Sequence, residues 1–69
     1  MMQRTTATVV KMLCNEILYY EYRASAENKP YLRHKADALR LFGKKYVAAD
    51  FSLDPRESIR LNNELKGDY

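Results

Sequence analysis

The first helix predicted from the sequence carries more apolar surface than one side of a helix can bury. Its apolar residues recur at alternating steps of three and four positions, which is the spacing of one helix face. That face consists of Val10, Leu13, Ile17, Tyr20 and Ala24. Two further apolar lines run beside it, one formed by Val9, Met12 and Tyr19 and the other by Cys14, Leu18 and Tyr22. A helix that is apolar over most of its girth has to be covered on more than one side.

Start and stop signals divide the chain into three helices, expected at about residues 6–26, 30–49 and 55–66. Three threonines are suitable N-caps for the first helix: Thr5, Thr6 and Thr8. Asn28 and Pro30 mark a short turn, because asparagine tolerates the left-handed backbone and proline suits a first helical turn. So short a turn predicts that the first two helices form an antiparallel hairpin.

The second helix has one apolar stripe, which Gly43 interrupts. The stripe is predicted to be buried and consists of Leu32, Ala36, Leu39, Phe42, Tyr46 and Ala49. A glycine inside a helix costs roughly 1 kcal/mol relative to alanine. Because the pattern continues on both sides of Gly43, we expect a close contact between helices there rather than a bend.

The third helix has the clearest start in the sequence. Asp54–Glu57 places an aspartate cap before a proline at the first helical position and a glutamate at the third, which is a capping box. Ile59 and Leu65 are expected to supply the apolar contacts of this helix, with Leu61 partly available. Gly67 is expected to end it.

One hairpin and a short third helix cannot cover every side of the first helix. We therefore predict a single all-α domain over residues 1–69, whose hairpin packs on that of a second copy as a four-helix homodimer. The apolar stripes would supply both the core and the dimer contacts. The alternative is a monomer whose exposed tyrosines and methionines contact a target directly.

Covalent and metal staples are not expected in this chain. Cys14 is its only cysteine and His34 its only histidine, so neither a disulfide nor a metal cage can form within one copy. Cys14 is predicted to be a small buried hydrophobe and His34 a solvated residue. A core of this size is marginal on its own, which again favours self-association.

No segment of the sequence indicates a membrane or an export pathway. The longest apolar run of the first third, Ile17–Tyr20, is far shorter than the ~20 residues of a membrane span. The first residues lack the small-residue cleavage site of a signal peptide. A single unpaired cysteine suits a reducing compartment, so the cytoplasm is expected.

The second helix carries the positive charge of the chain. Between Lys29 and Lys45 there are six basic residues and one acid, a balance of +5, whereas the remainder balances to −2. Arg33, Arg40 and Lys44 are expected on one outer face of this helix. Such a face binds phosphates or an acidic patch on a protein, and a merely solvated exterior is the remaining interpretation.

Tyrosine is unusually frequent, with six residues and no tryptophan. Tyrosine contributes a large rigid contact area and a hydroxyl, which makes it a favoured anchor in protein interfaces. Tyr20 and Tyr46 lie on the predicted buried stripes and are assigned to the core. Tyr19, Tyr22 and Tyr31 cannot all face the same core, and we predict that they contact a partner.

No catalytic or cofactor site is expected, so the chain is predicted not to be an enzyme. Its only histidine has no serine or cysteine partner at a recognisable spacing, and Gly43 and Gly67 form no phosphate loop. Two non-catalytic functions agree with the residues. The first is a protein-binding inhibitor or adaptor, supported by the apolar girth and the tyrosines. The second is a small nucleic-acid-binding regulator, supported by the basic helix and by Arg4–Val9 as an extended arm, although no helix-turn-helix pattern accompanies them.

The chain resembles the very small early proteins with which bacteriophages disable host regulators, in particular the phage quorum-sensing anti-activators. The resemblance lies in the overall length and in the hairpin body, Cys14–Arg23 followed by Pro30–Arg33. It implies a helical homodimer in the host cytoplasm, which binds the acyl-homoserine-lactone-responsive transcription activator of the host and blocks its access to DNA. A second implied target is the ATPase that drives pilus assembly. The resemblance therefore favours the inhibitor over the nucleic-acid-binding regulator.

Overall fold

Three α-helices make up the part of the chain that the computed structural model describes, residues 5–66. They are α1 (Thr6–Ala26), α2 (Tyr31–Ala49) and α3 (Pro55–Lys66), and this part of the chain contains no strand. The predicted all-α hairpin with a short C-terminal helix is confirmed, and the predicted bounds agree to within one residue. Gly67, the expected end of α3, lies outside the described residues.

Side-chain hydrogen bonds fix where α1 and α3 begin. Of the three candidate caps for α1, the structure selects Thr5, whose hydroxyl accepts a hydrogen bond from the backbone N–H of Thr8 at 3.2 Å. The proposed arm is therefore helical from Thr6 onward, and its Arg4 lies outside the described residues. At α3, a carboxylate oxygen of Asp54 accepts from the backbone N–H of Arg56 at 2.8 Å, as expected of an N-cap.

The turn between α1 and α2 is a helix C-cap with one residue in the left-handed region. Asn28 has φ of 52°, the conformation that asparagine tolerates better than most residues. The backbone N–H of Lys29 reaches back to the carbonyl of Ala24 at 3.1 Å, which satisfies an otherwise free helix end. Pro30 is already in the right-handed helical region, so α2 starts at once and the hairpin is antiparallel.

Eight buried apolar side chains drawn from all three helices make up the core. They are Val10, Ile17, Ala24, Leu32, Ala36, Val47, Leu61 and Leu65. Leu13, Tyr20 and Leu39, which were also predicted for the core, are half-buried and pack against it.

The predicted stripe of α2 is wrong in its second half, where Phe42, Tyr46 and Ala49 are exposed. The buried positions there are instead Gly43 and Val47, one residue further along each turn. The cause is α3, which packs against α2 at Gly43. A Cβ atom at Gly43 would lie 2.6 and 2.8 Å from the two terminal carbons of Leu65. The predicted close contact between helices at this glycine is thereby confirmed.

The register of α3 also differs from the prediction. Leu61 and Leu65, four residues apart, are 1% and 0% exposed and form its buried side. Ile59 was expected to supply a contact, but it faces outward and is 61% exposed. With only two buried anchors, α3 depends on each of them strongly.

Candidate interaction surfaces

The two sides of the α1–α2 hairpin differ in what covers them. On one side, the thiol of Cys14 donates to the carbonyl of Glu64 at 3.5 Å, and Arg40 donates to the carbonyl of Leu65 at 3.1 Å. These contacts show where α3 lies. On the other side, the ammonium of Lys35 lies 5.6 Å from the ring centroid of Tyr20, across the hairpin.

The side away from α3 forms an apolar surface that we call the open face, consisting of Leu13, Tyr20, Lys35, Phe42 and Tyr46. Residues seven apart share a helix face, so Leu13 lies on the side of Tyr20, and Phe42 on the side of Lys35. The rings of Phe42 and Tyr46 are 6.2 Å apart and remain 54% and 37% exposed. Within residues 5–66, α3 packs against the other side of the hairpin, at Cys14, Arg40 and Gly43.

A second apolar surface lies on the outside of α1 near the turn. We call it the outer patch: Leu18, Tyr19 and Tyr22, which are 54%, 54% and 73% exposed. Tyr22 is the neighbour of both others on the helix, because it follows Leu18 by four positions and Tyr19 by three. The guanidinium of Arg23 lies 5.5 Å from the Tyr19 ring and forms an ion pair with Glu27 at 2.8 Å.

The six residues predicted to bind a partner do not form one surface. Tyr19 and Tyr22 lie together in the outer patch, whereas Tyr31, 53% exposed, begins α2. Arg33 and Lys44 are both exposed, but eleven residues of helix separate them by about 16 Å at 1.5 Å per residue. Tyr31 and Arg33 lie on nearly opposite sides of α2, since two helical steps turn the chain by about 200°.

Arg40, the remaining residue of that set, is an internal connector of the three helices. Its side chain is 18% exposed and forms ion pairs with Glu21 of α1 at 2.8 Å and with Asp37 at 3.0 Å. Its Nε donates to the carbonyl of Leu65 in α3 at 3.1 Å. The prediction that Arg40 belongs to an exposed basic face is therefore wrong.

The rest of the basic surface of α2 remains available. Arg33, Lys44 and Lys45 are exposed, and none of them forms an ion pair within residues 5–66. His34 is exposed as predicted. The cations thus lie on two separate parts of the helix rather than in one continuous cluster.

Phe51 is a candidate contact residue that the sequence analysis missed. It lies in the loop between α2 and α3 and is 96% exposed. Its neighbour Asp50 accepts hydrogen bonds from the backbone N–H and the hydroxyl of Ser52, at 3.0 and 2.5 Å, and from the hydroxyl of Thr6. The loop is therefore held on both sides of an aromatic ring that the fold does not use. The available signal was an aromatic residue outside any periodic pattern, between two turn-forming polar residues.

A cleft adjoins this loop, at the end of the hairpin opposite the turn. Its walls come from the start of α1, the end of α2 and the loop itself, and include Ala7, Tyr46, Ala49 and Leu53. Tyr46 belongs to both the cleft and the open face, so the two surfaces are continuous.

The hydrogen bonds to Asp50 predict a dependence of stability on pH. The bonds from Ser52 and then Thr6 hold the pKa of Asp50 below its ordinary value. The stabilisation is complete above the unfolded pKa of about 4 and is lost as the pH falls through the lower folded pKa. Asp50→Asn should therefore lower the Tm at pH 7, and its difference from the unmodified chain should shrink below about pH 4. A Tm difference that stays constant across a series of thermal melts down to pH 2 would contradict this assignment.

Cys14 packs against the core as the sequence predicted, but it is only partly buried rather than buried. This burial raises the pKa of its thiol. A raised pKa leaves less of the nucleophilic thiolate at neutral pH. The thiol is therefore a packing group in this fold.

Comparison with protein-family models, with curated proteins and with solved structures finds no match. None of the helices within residues 5–66 contains an apolar stretch long enough to traverse a bilayer. In the same part of the chain, no three His, Cys, Asp or Glu side chains are grouped as metal ligands would be. The open face, the outer patch and the Phe51 loop are the candidate functional surfaces of the described residues.

Proposed function

We propose that this chain is a non-enzymatic, homodimeric protein that binds and inactivates a regulatory protein of its host. The supporting observation is its exposed apolar surface. Ten large apolar side chains of the described residues are at least 37% exposed, more than the eight that form the buried core. Exposed apolar side chains that cluster on a small protein mark interaction sites, and the open face and the outer patch are two such clusters.

The resemblance to phage anti-activators defines the proposal further. In this proposal the chain is a phage protein acting in the host cytoplasm, and its first target is the acyl-homoserine-lactone-responsive transcription activator of quorum sensing. Binding would keep that activator off DNA. The ATPase of pilus assembly is the second target. The confirmed helical hairpin agrees with the architecture that the resemblance implies.

The outer patch is the proposed contact with the target. Tyr19 and Tyr22 provide rigid aromatic area, and Leu18, one turn before Tyr22, adds an exposed aliphatic side chain. Arg23 and Glu27 pair at its margin, where a polar rim excludes water from the anchors of an interface. Inhibition then requires binding alone, because a bound helical body can occlude a DNA-binding surface without any chemistry.

Replacing both tyrosines should abolish inhibition while leaving the fold intact. Tyr19→Ala with Tyr22→Ala removes two exposed rings, so helicity should not change, whereas the affinity for the activator should fall at least about 30-fold for a loss of 2 kcal/mol or more. Release of the activator from its DNA in a gel-shift titration measures the effect, with circular dichroism to monitor folding.

Leu41→Ala is the matched control, because Leu41 is 55% exposed on α2. It should inhibit as well as the unmodified chain. Loss of helicity in the double variant would mean that the tyrosines support the fold. Full inhibition by a folded double variant would exclude the outer patch as the contact with the target. An activator that stays on DNA at every concentration of the unmodified chain would refute this target.

A nucleic-acid-binding regulator is the second candidate, and one observation favours it. Arg33, Lys44 and Lys45 have no ion-pair partner within residues 5–66. The internal position of Arg40 and the helical state of Thr6–Val9 both weaken this candidate. A salt titration of binding to random duplex DNA separates the two functions. Affinity that falls steeply with salt would support nucleic-acid binding, and no binding at physiological salt would support the inhibitor.

A further inference from the structure

The open face is the surface that the sequence pattern of α2 predicted to be buried. Leu39, Phe42 and Tyr46 keep the three–four spacing of a packed helix, yet the last two are 54% and 37% exposed because α3 packs on the other side. On α1, Leu13 and Tyr20 face the same way and are only half-buried. A partner that fits must therefore present two helices with complementary spacing, as a second copy of the hairpin does.

Phe51 is a knob beside a hole, the cleft, which is lined by the residues on both sides of Phe51 but not by Phe51 itself. The ring is 96% exposed, and the cleft next to it is lined by Ala7, Tyr46, Ala49 and Leu53. Two-fold dimers use the same patch on both copies, so a knob adjoining a hole is self-complementary. The hydrogen bonds of Asp50 restrain the loop before association, which reduces the entropy lost on binding.

The charges at the edge of the open face point to the same arrangement. Glu16 precedes Tyr20 by four residues and Lys45 follows Phe42 by three, so each borders the open face on its own helix. Both are exposed, and neither forms an ion pair within residues 5–66. An unpaired acid on α1 and an unpaired base on α2 are complementary when α1 of one copy lies over α2 of the other.

The positions of these residues along the hairpin axis agree with a two-fold axis parallel to the helices. Leu13 and Gly43 lie side by side, since Leu13 would be 3.3 Å from a Cβ atom at that glycine. Counting from this pair, Glu16 and Lys45 are offset by about 8 Å along the axis at 1.5 Å per residue, within the combined reach of their side chains. The same axis places Phe51, beyond the end of α2, over the start of α1 that borders the cleft of the other copy.

We propose that a second copy of this chain covers the open face about a two-fold axis parallel to the helices, with Phe51 of each copy seated in the cleft of the other. This inference rests on the homodimer of the proposed function and assigns its location. It leaves Leu18 and Tyr22 of the outer patch free for the target, whereas the ring of Tyr19 lies 5.5 Å from that of Tyr20 in the open face. Self-association and target binding thus use adjoining surfaces of α1.

Sedimentation equilibrium of the unmodified chain and of Phe51→Ala tests the assignment. We expect a dimer whose dissociation constant rises at least about tenfold in Phe51→Ala. Ile59→Ala is the matched control, because Ile59 is also an apolar side chain that the fold leaves exposed, 61% on α3. It should change the constant less than about twofold. Equal constants for the two variants, or a monomer at all concentrations, would overturn the proposal.

A charge exchange tests the axis independently. Glu16→Lys and Lys45→Glu should each weaken the dimer several-fold, and the double variant should recover most of the affinity, since each charge again meets its opposite. A double variant weaker than either single one would overturn the parallel axis. Gel-shift inhibition by the outer patch is measured separately. If the dimer does not depend on Phe51 but the chain still releases the activator from DNA, only this inference is refuted. If the dimer depends on Phe51 but the activator stays on DNA, only the proposed target is refuted.

Discussion

Replacing Leu61 by alanine is expected to lower the free energy of unfolding by about 2–5 kcal/mol, the range for deleting a large buried aliphatic side chain. Leu61 is 1% exposed and is one of only two buried anchors of α3. A chain of 69 residues has roughly 3–10 kcal/mol in total, so this single change removes a large share of its stability. Urea unfolding followed by circular dichroism, at one fixed protein concentration because association adds stability, measures the loss.

Ile59→Ala is the control that makes this result decisive. Ile59 lies two residues earlier on the same helix but is 61% exposed, so its replacement should change stability by no more than about 0.5 kcal/mol. The apolar pattern of the sequence assigned the contact to Ile59 and only a partial one to Leu61. Equal losses from both variants would mean that α3 does not pack in the register described.

Replacing Arg40 by methionine is expected to destabilise the chain by about 2–3 kcal/mol, below the 3–5 kcal/mol of a fully buried broken pair, because its partner Glu21 retains some solvent. Methionine keeps much of the apolar stem but leaves Glu21 and the carbonyl of Leu65 without the guanidinium. The loss should appear as a lower urea midpoint.

Arg33→Met serves as the comparison for Arg40→Met. Arg33 lies seven residues earlier on α2, is exposed and forms no ion pair within residues 5–66. Its replacement should leave the free energy of unfolding within about 0.5 kcal/mol of the original. If Arg40→Met instead leaves stability unchanged and abolishes inhibition, Arg40 is a partner-binding residue after all.

The helices could be predicted from the sequence because their signals are local. A threonine cap, an asparagine followed by a proline, and an aspartate before a proline each act within one turn of helix, and the structure uses all three. The exposure of the three tyrosines that were predicted to contact a partner followed from the same helical geometry. What periodicity cannot give is the side from which a third helix packs.

The errors in the candidate site have that one origin. Packing of Leu65 against Gly43 moved the buried positions of α2 away from Phe42 and Tyr46. The same packing brought the carbonyl of Leu65 to Arg40, which turned an apparent surface cation into an internal one. Phe51 escaped detection for a different reason, since a loop aromatic has no period by which to assign it.

The bare backbone at Gly43 also sets an order of events in folding. The hairpin forms across a turn of a few residues. The hydrogen bond from Cys14 to Glu64 spans 50 positions, so forming it costs a larger loop-closure entropy. We therefore expect Leu65 to pack after the hairpin has formed, because its contact surface includes Gly43 of α2 and lies beside Leu13 of α1. In this order α3 packs last, against a hairpin that has already formed, and its detachment would expose the buried surface around Gly43.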